Sequence, residues 1–364
     1  LVEEFRAVAI TLSGNPRERG RVHGEALRPQ ILDAINGFSD EIRKNTRLDP
    51  SELFSRMTHQ TDFMAMANRW TPGALEEVRG ISEASGVGLD TLFAWQCIQE
   101  MAWYPQKDVV PLPTTLSCTS LGCAPAGGQT IVAQTVDGTG WGRGRGVVMH
   151  LDDPDTGIKA HILSWPGLVG VYGLNDRGIG VCCNSMFLDV TNSTSGLTAL
   201  FTVRGILAQR TFEDTDRFIR SVPHASGTNF MVGAPGHAVS YEVSAKNVVA
   251  YAPSPEAEMT YHTNHALATD DRVPPEAEGW DTNSAARLVS VRRRMEEAPQ
   301  PMTWEDARAI ISSHDDEEHP ICRHYQGDEA GMTLWGIVVE CSPDPVLHVS
   351  SGPPCCTEFR SFAF

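Results

Sequence analysis

The chain is short of basic residues. Across 364 residues, 29 Lys and Arg stand against 46 Asp and Glu, a formal net charge of −17. That balance excludes a phosphate backbone as partner, because nucleic-acid binding needs a basic face. The runs Arg143-Gly144-Arg145 and Arg292-Arg293-Arg294 are too short to reverse it, and read as a loop and as the solvated face of a helix. No stretch approaches the roughly 18 apolar residues of a membrane span, so no membrane partner is expected. Leu1 to Arg6 show no basic region ahead of an apolar core, so no signal peptide is expected. Internal repeats and low-complexity segments are absent, and so are HExxH, GxSxG and P-loop motifs.

Cysteine is present but poorly placed for a disulfide framework. Nine is an odd number, and Cys182-Cys183 and Cys355-Cys356 are adjacent pairs. Free thiols in a reducing compartment fit better, which points to the cytoplasm. The glycine-rich stretch Gly138 to Gly146 lacks dinucleotide-loop spacing and leads into the strand-like Val147-Val148-Met149-His150. It reads as a substrate-lining loop or a plain turn, and no cofactor is expected. Metal ligation is not expected either. His262 and His265 sit at a strand end, where their spacing does not bring both to one face. His314, His319 and His324 have no fixed ligand spacing. The acidic run Asp315 to Glu318 reads as an exposed loop.

The first hundred residues are mostly helical. Residues 5–12 alternate as a strand, which Gly14-Asn15-Pro16 ends. A helical period follows from Arg17 to about Lys44, with Pro29 kinking or splitting it. Ser51 reads as an N-cap. Thr71-Pro72 opens a helix that Gly86 closes, and a further helix runs from Leu89 to Trp103. Beyond Pro111 and Pro113, strands are expected at 116–123, 129–137, 146–152, 158–165, 168–175 and 178–185. Helices at 198–210 and 214–222 follow, then strands at 228–233, 237–244, 246–252 and 258–262. Helices at 283–297 and 303–313 precede strands at 332–340 and 345–350. Strands and helices in blocks predict an α+β protein of two packed sheets with helices outside each.

Ser117-Cys118-Thr119-Ser120 lies at the border between the two regions. The Gly127-Gly128 turn leads into Thr130 to Val136, which ends at Asp137, so a hairpin brings a carboxylate back beside Cys118. A lone cysteine is more often a small buried hydrophobe than a nucleophile. The wider pattern overturns that default. It runs from Gly14-Asn15-Pro16-Arg17-Glu18-Arg19-Gly20-Arg21-Val22-His23-Gly24-Glu25 through Glu76-Glu77-Val78-Arg79-Gly80-Ile81 to Cys118-Thr119-Ser120. It continues with Gly173-Leu174-Asn175-Asp176-Arg177-Gly178-Ile179, Thr263-Asn264-His265, Ser284-Ala285-Ala286-Arg287 and His314 to Ile321-Cys322-Arg323-His324. In that order, nearly end to end, the chain resembles the acyl-coenzyme A:6-aminopenicillanic acid acyltransferase family, a cysteine-type branch of the N-terminal-nucleophile hydrolases.

The resemblance implies a four-layer αββα sandwich with a helix-rich N-terminal segment, made as an inactive precursor. Self-cleavage between Ser117 and Cys118, by an N-to-S acyl shift, would leave residues 1–117 as a helix-rich chain and 118–364 as the catalytic chain. The two would stay together as a heterodimer, alone or assembled further with copies of itself. Cys118 would be the nucleophile. Its freed α-amine, with an ordinary pKa of about 7.7–8.0, would be the base. Asp137 would hold that amine, and Arg287 would orient carboxylate and thiol. The Asn264 side chain and the Asn184 backbone N–H would stabilise the oxyanion. Thr119, next to the nucleophile, is a further substrate or oxyanion candidate, and Trp141, Trp165, Tyr172 and Phe187 are candidates to line an acyl pocket. The chain departs from the family pattern twice. Ser117 stands where relatives have glycine, and Gln134-Thr135-Val136-Asp137 stands where the family writes Gln-Asn-x-Asp. The expected reaction is hydrolysis of a linear N-acyl amide, such as an N-acyl amino acid, through an acyl-cysteine. The alternative is acyl transfer from an acyl-coenzyme A to an amine. A non-catalytic binding protein on the same fold is the reading from another class.

Overall fold

Proline and capping residues set where the first helices begin. The computed structural model describes residues 8–46, 48–104, 117–254, 258–272, 280–324 and 331–364. The expected strand positions 5–7 and 116 lie outside them. Strand β1 (Val8–Ser13) ends at Gly14, whose φ of 100° suits glycine. Asn15 then caps α1 (Pro16–Ala26). Its side chain accepts the Glu18 N–H, and the Glu18 carboxylate accepts the Asn15 N–H, a reciprocal cap of about 1 kcal/mol. The helical period splits at Leu27, just ahead of Pro29, and resumes as α2 (Arg28–Asn45). Helix α3 (Pro50–His59) is capped by Asp49 rather than Ser51: the Asp49 carboxylate accepts the Ser51 N–H at 2.8 Å. After α4 (Phe63–Trp70), α5 (Pro72–Ser85) ends on Gly86 at φ 78°, as expected. The run to Trp103 breaks at Cys97, whose N–H turns to the Ala94 carbonyl, giving α6 (Leu89–Gln96) and α7 (Ile98–Trp103).

The remainder alternates blocks of strands and helices. Strands β2 (Cys118–Cys123), β3 (Thr130–Gly138), β4 (Val147–Asp153), β5 (Ile158–Ser164), β6 (Tyr172–Asn175) and β7 (Gly180–Ser185) come first. Helices α8 (Ala199–Leu207) and α9 (Phe212–Ser221) separate them from β8 (Thr228–Ala234), β9 (His237–Val243), β10 (Val248–Tyr251) and β11 (Met259–His262). Helices α10 (Trp280–Glu297) and α11 (Trp304–Ile311) precede β12 (Met332–Cys341), β13 (Val346–Ser350) and β14 (Phe359–Ala363). Strand β14 was not foreseen. The strand expected from 168 starts only at Tyr172, because the Leu168 N–H turns back to the Trp165 carbonyl.

These strands form two sheets. One runs β1-β4-β5-β6-β7-β8-β9-β10, the other β11-β2-β3-β12-β13-β14. All neighbours are antiparallel except β1 and β4, so the N-terminal region supplies an edge strand to the larger sheet. Strands β2 and β3 face β7 and β8 across the interior. Helices α10 and α11 cover the smaller sheet and α8 the larger. The order of layers is therefore α–β–β–α, the N-terminal-nucleophile-hydrolase-like architecture, with the N-terminal helices added to it. One core fills the space between the sheets and under the N-terminal helices. A second, built on Leu121, Ile131, Ala133, Val291, Ile310 and Val338, lies under α10 and α11.

Helices α1 and α5 cross at backbone contact. A Cβ at Gly20 would overlap the Glu77 carbonyl, and one at Gly80 the Arg17 carbonyl. That approach brings Arg19 Nε to Glu77 Oε1 at 2.9 Å, both residues 2% exposed. Arg204 of α8 grips the same carboxylate with both its terminal nitrogens. Beside them, His23 Nε2 accepts the Gly167 N–H at 2.9 Å, and burial lowers its pKa to about 4, so it stays a neutral acceptor. No described helix is long and apolar enough to cross a membrane. All nine cysteines are unbridged.

Candidate active site

Strand β2 opens on Cys118, and its hairpin with β3 fixes what stands beside it. Cys118 pairs with Val136, Thr119 with Thr135 and Ser120 with Gln134. Strand alternation then sorts the side chains. Leu121, Cys123, Ile131 and Ala133 enter the core under α10 and α11, whereas Val132 and Val136 enter the core between the sheets. Cys118, Ser120 and Gln134 share the inter-sheet face with Val136. Two of these cross to the larger sheet: Ser120 Oγ donates to Asn184 Oδ1 at 2.7 Å, and Gln134 Nε2 donates to the Cys183 carbonyl at 2.7 Å.

Asp137 comes beside the cysteine as the hairpin required, one position beyond Val136. It pairs with Thr333 of β12, whose hydroxyl donates to Asp137 Oδ1 at 2.7 Å. The other oxygen, Oδ2, has no partner among the described residues. Burial pushes this carboxyl up to about 6, against the opposing pull of Arg323, Arg287 and the Thr333 hydrogen bond.

Arg287 lies on α10 and is 1% exposed, not the solvated helix residue its position also allows. Its Nε donates to Asn283 Oδ1 at 2.9 Å. Nη1 donates to the Cys118 carbonyl at 2.6 Å and to Thr119 Oγ1 at 2.9 Å, and Nη2 to Asn264 Oδ1 at 2.8 Å. Its influence on Asp137 is through charge. Burial lowers its pKa to about 10, with Asp137 and Cys118 opposing, so it stays cationic at neutral pH. Asn264 Oδ1 also accepts the Cys118 N–H at 2.8 Å. A guanidinium and a backbone N–H can only donate, so both require the amide oxygen. Asn264 Nδ2 donates to the Ser185 carbonyl at 3.1 Å.

Asn184 is buried between the sheets, where its Oδ1 also accepts from Asn229 Nδ2 at 3.1 Å. Its own Nδ2 and Gln134 Oε1 have no partner among the described residues. Tyr172 is pushed up by burial and, next, by the Cys118 charge, which places it within electrostatic reach. Trp141 is partly buried and Trp165 is buried. They belong to an aromatic chain running Trp95, Trp141, Trp165, Trp335, with centroid separations of 5.5, 5.3 and 4.4 Å, and Tyr172 touches its end at 6.4 Å. Trp141 sits in the single 3₁₀ turn of Gly140–Gly142, and Phe187 is a buried core residue.

Several residues support the site in roles that the sequence pattern did not assign. Ser284 is three positions before Arg287, on the same helix face. Its hydroxyl accepts the Asn264 N–H at 2.8 Å and donates to Thr263 Oγ1 at 2.9 Å. That spacing was a usable signal, whereas only the β3–β12 register reveals Thr333. Glu242 accepts the Leu267, Ala268 and Thr269 N–H groups, fixing the loop just after Asn264, and also meets His262 Nε2 at 2.9 Å. His262 and His265 are thus separately engaged, His265 Nδ1 with Ser284 Oγ at 2.7 Å. His319 turns to Asn283, while His314 and His324 meet beside Cys322 and Cys355. The expectation of no metal ligation, drawn from histidine spacing, left those cysteines out.

The thiol itself is held in reserve. Burial pushes Cys118 up to about 12, and the Asp137 charge adds to it. The Asp137 N–H and the Arg287 charge oppose that rise. A thiol in this state is protonated at neutral pH and needs a base to react.

Two facing sheets with helices on both outer faces make an N-terminal-nucleophile-hydrolase-like fold. Residues 163–351 match the Acyl-coenzyme A:6-aminopenicillanic acid acyl-transferase family, and the chain belongs to it. The matched region holds Asn184, Asn264 and Arg287, while Cys118 and Asp137 precede it. A relative from Emericella nidulans, the acyl-coenzyme A:6-aminopenicillanic-acid-acyltransferase 40 kDa form, is 23% identical over 344 residues, 91% of this chain and 89% of that one. Among solved structures, a mutant of conjugated bile acid hydrolase from Clostridium perfringens is similar at 10% identity and a TM-score of 0.41, over 68% of this chain and 97% of that one. Penicillin V acylase from Agrobacterium tumefaciens is similar at 12% identity and a TM-score of 0.42, over 68% and 86% of the two chains.

Proposed function

We propose that the chain is a self-processing N-terminal-cysteine amidohydrolase acting on a linear N-acyl amide, with Ser117–Cys118 as the cleavage point. The observation that carries this reading is the set of contacts on Cys118. Its N–H and carbonyl are both gripped, by Asn264 and Arg287, while its thiol meets the Asp137 N–H and feels the charge of that residue's carboxylate, which has one open oxygen. In the processing step the thiol attacks the Ser117 carbonyl, the C–N bond breaks and a thioester forms. Water then releases the Ser117 carboxylate and leaves Cys118 with a free α-amine. The cut parts residues 1–117 from residues 118–364. Strand β1 and the Arg19–Glu77–Arg204 cluster tie the shorter piece to the longer one.

Turnover then uses the uncovered amine. It takes the thiol proton, and the thiolate attacks the substrate carbonyl. Asn264 Nδ2 and an N–H of Asn184 receive the oxyanion. Collapse breaks the substrate C–N bond, and the leaving amine takes the proton. Water, activated by the same α-amine, hydrolyses the acyl-cysteine to a carboxylic acid and restores the thiol. Asp137 Oδ2 and Asn264 Oδ1 hold the α-amine throughout. The relative named as an acyltransferase favours a second reading, in which an amine instead of water takes the acyl group from an acyl-coenzyme A.

A panel of N-acyl amino acids and acyl-coenzyme A thioesters, followed by intact-mass analysis, tests the reading. An acyl adduct on Cys118 with release of free acid supports hydrolysis, and adduct decay only on adding an amine supports transfer. An acyl group on another residue, or none with any donor, would remove the assignment.

A further inference from the structure

Away from the inter-sheet space, four side chains from three stretches of chain converge. His314 follows α11, Cys322 and His324 lie on the segment after it, and Cys355 sits in the turn between β13 and β14. Their ligand-type atoms all lie within 4.8 Å of one another. The two Nε2 atoms of His314 and His324 are 3.1 Å apart, Cys355 Sγ and His324 Nε2 are 3.3 Å apart, and the Cys322 and Cys355 sulfurs are 3.5 Å apart.

Tetrahedral zinc makes a specific demand on such a set. With Zn–N of about 2.0–2.1 Å and Zn–S of about 2.3 Å, the edges come to about 3.3 Å for N···N, about 3.5 Å for N···S and about 3.8 Å for S···S. Three of the six separations, 3.1, 3.3 and 3.5 Å, rise in the same order and are each within about 0.3 Å of their edge, and the other three are no longer than 4.8 Å. A disulfide would need the sulfurs at about 2.0 Å and would leave the two imidazoles converging on nothing. Two thiols and two imidazoles also make a soft, closed donor set, which suits zinc and leaves no open position for catalysis.

The geometry points to a structural zinc site held by His314 Nε2, Cys322 Sγ, His324 Nε2 and Cys355 Sγ. Each thiol releases its proton to solvent on binding. Cys322 is buried, whereas His314, His324 and Cys355 are exposed, so an ion can enter from the surface. The site would pin a segment that supports Asp137. Arg323, between two ligands, donates its N–H to Thr333 Oγ1 at 2.8 Å and accepts the Thr333 N–H at 3.0 Å. The Thr333 hydroxyl holds Asp137. The ion would therefore join α11, the turn before β14 and the floor beneath the carboxylate in one clamp.

Untagged protein, purified without chelator, should carry one zinc per chain by elemental mass spectrometry. Cys322→Ser and Cys355→Ser should each lose it. Wild-type protein stripped by chelator and given cobalt(II) should develop the visible bands of tetrahedral cobalt and a thiolate charge-transfer band, both missing in Cys322→Ser. Stripped wild-type protein that takes up neither zinc nor cobalt would overturn the site. So would a Cys322–Cys355 disulfide in non-reducing peptide maps. Neither readout depends on cleavage or turnover, so the site stands or falls apart from the proposed reaction.

Discussion

Two buried arginine clusters sit in this molecule, and they are built to opposite rules. In the first, Glu77 spends both carboxylate oxygens, Oε1 on Arg19 and Arg204 and Oε2 on Arg204 again. Burial pushes its carboxyl up, but the two arginines outweigh that and hold it below the ordinary range. In the second, Arg287 is fully engaged, yet Asp137 Oδ2, Gln134 Oε1 and Asn184 Nδ2 have no partner among the described residues. There burial wins and leaves the carboxyl at about 6. Open polar atoms in a buried site cost about 1–3 kcal/mol each, so they persist where something other than packing requires them. A closed cluster holds parts together, and an open one is set up to meet a further group.

The largest test of that contrast is Cys118→Ala. Activity should fall by about 10⁴-fold or more, as for loss of a covalent nucleophile. The variant should also stay uncut and should unfold at nearly the wild-type denaturant midpoint. Full turnover by this variant would remove Cys118 from the chemistry. Glu77→Ala should do the reverse. Stripping one partner from a buried ion cluster costs about 3–5 kcal/mol, read as a lowered midpoint. The kcat per folded molecule should hold, and a large drop in kcat at unchanged stability would erase the distinction between the clusters.

A smaller effect is expected from pH. In the proposed reaction the neutral α-amine is the reacting form, so kcat/KM should fall about tenfold per unit below its ordinary range of about 7.7–8.0. Below about 6 Asp137 takes up a proton, and the fall should steepen. Asp137→Asn should be less active and lack the steeper limb. Stability moves the other way. A carboxyl raised in the folded state favours folding most when protonated, and that contribution is lost as pH rises through about 6. A wild-type profile that Asp137→Asn leaves unchanged in both height and shape would put Asp137 outside the reaction.

Local pattern carried the fold further than it carried the site. The β2–β3 hairpin was legible because a Gly-Gly turn joins two alternating runs, and its register alone brought Asp137 beside Cys118. The glycines at 20 and 80 were visible as part of a family pattern, but their purpose appears only where two helices cross. The division of Asn264, with its oxygen toward Cys118 and its nitrogen toward Ser185, depends on donors that arrive from α10 and β2. The same limit hid Cys355 as a companion of His314. They share no local spacing, and only the return of the chain after β13 brings them together. Strand β14 escaped because Phe359 to Ala363 is a half-exposed edge without a clean alternation.

The most direct test of the central claim is the N-terminus of the larger fragment of purified wild-type protein, read by intact mass and terminal sequencing. The expected result is a fragment whose first residue is Cys118 with a free α-amine. A wild-type chain that turns over substrate while remaining continuous through Ser117–Cys118 would contradict it, because the proposed base would then not exist.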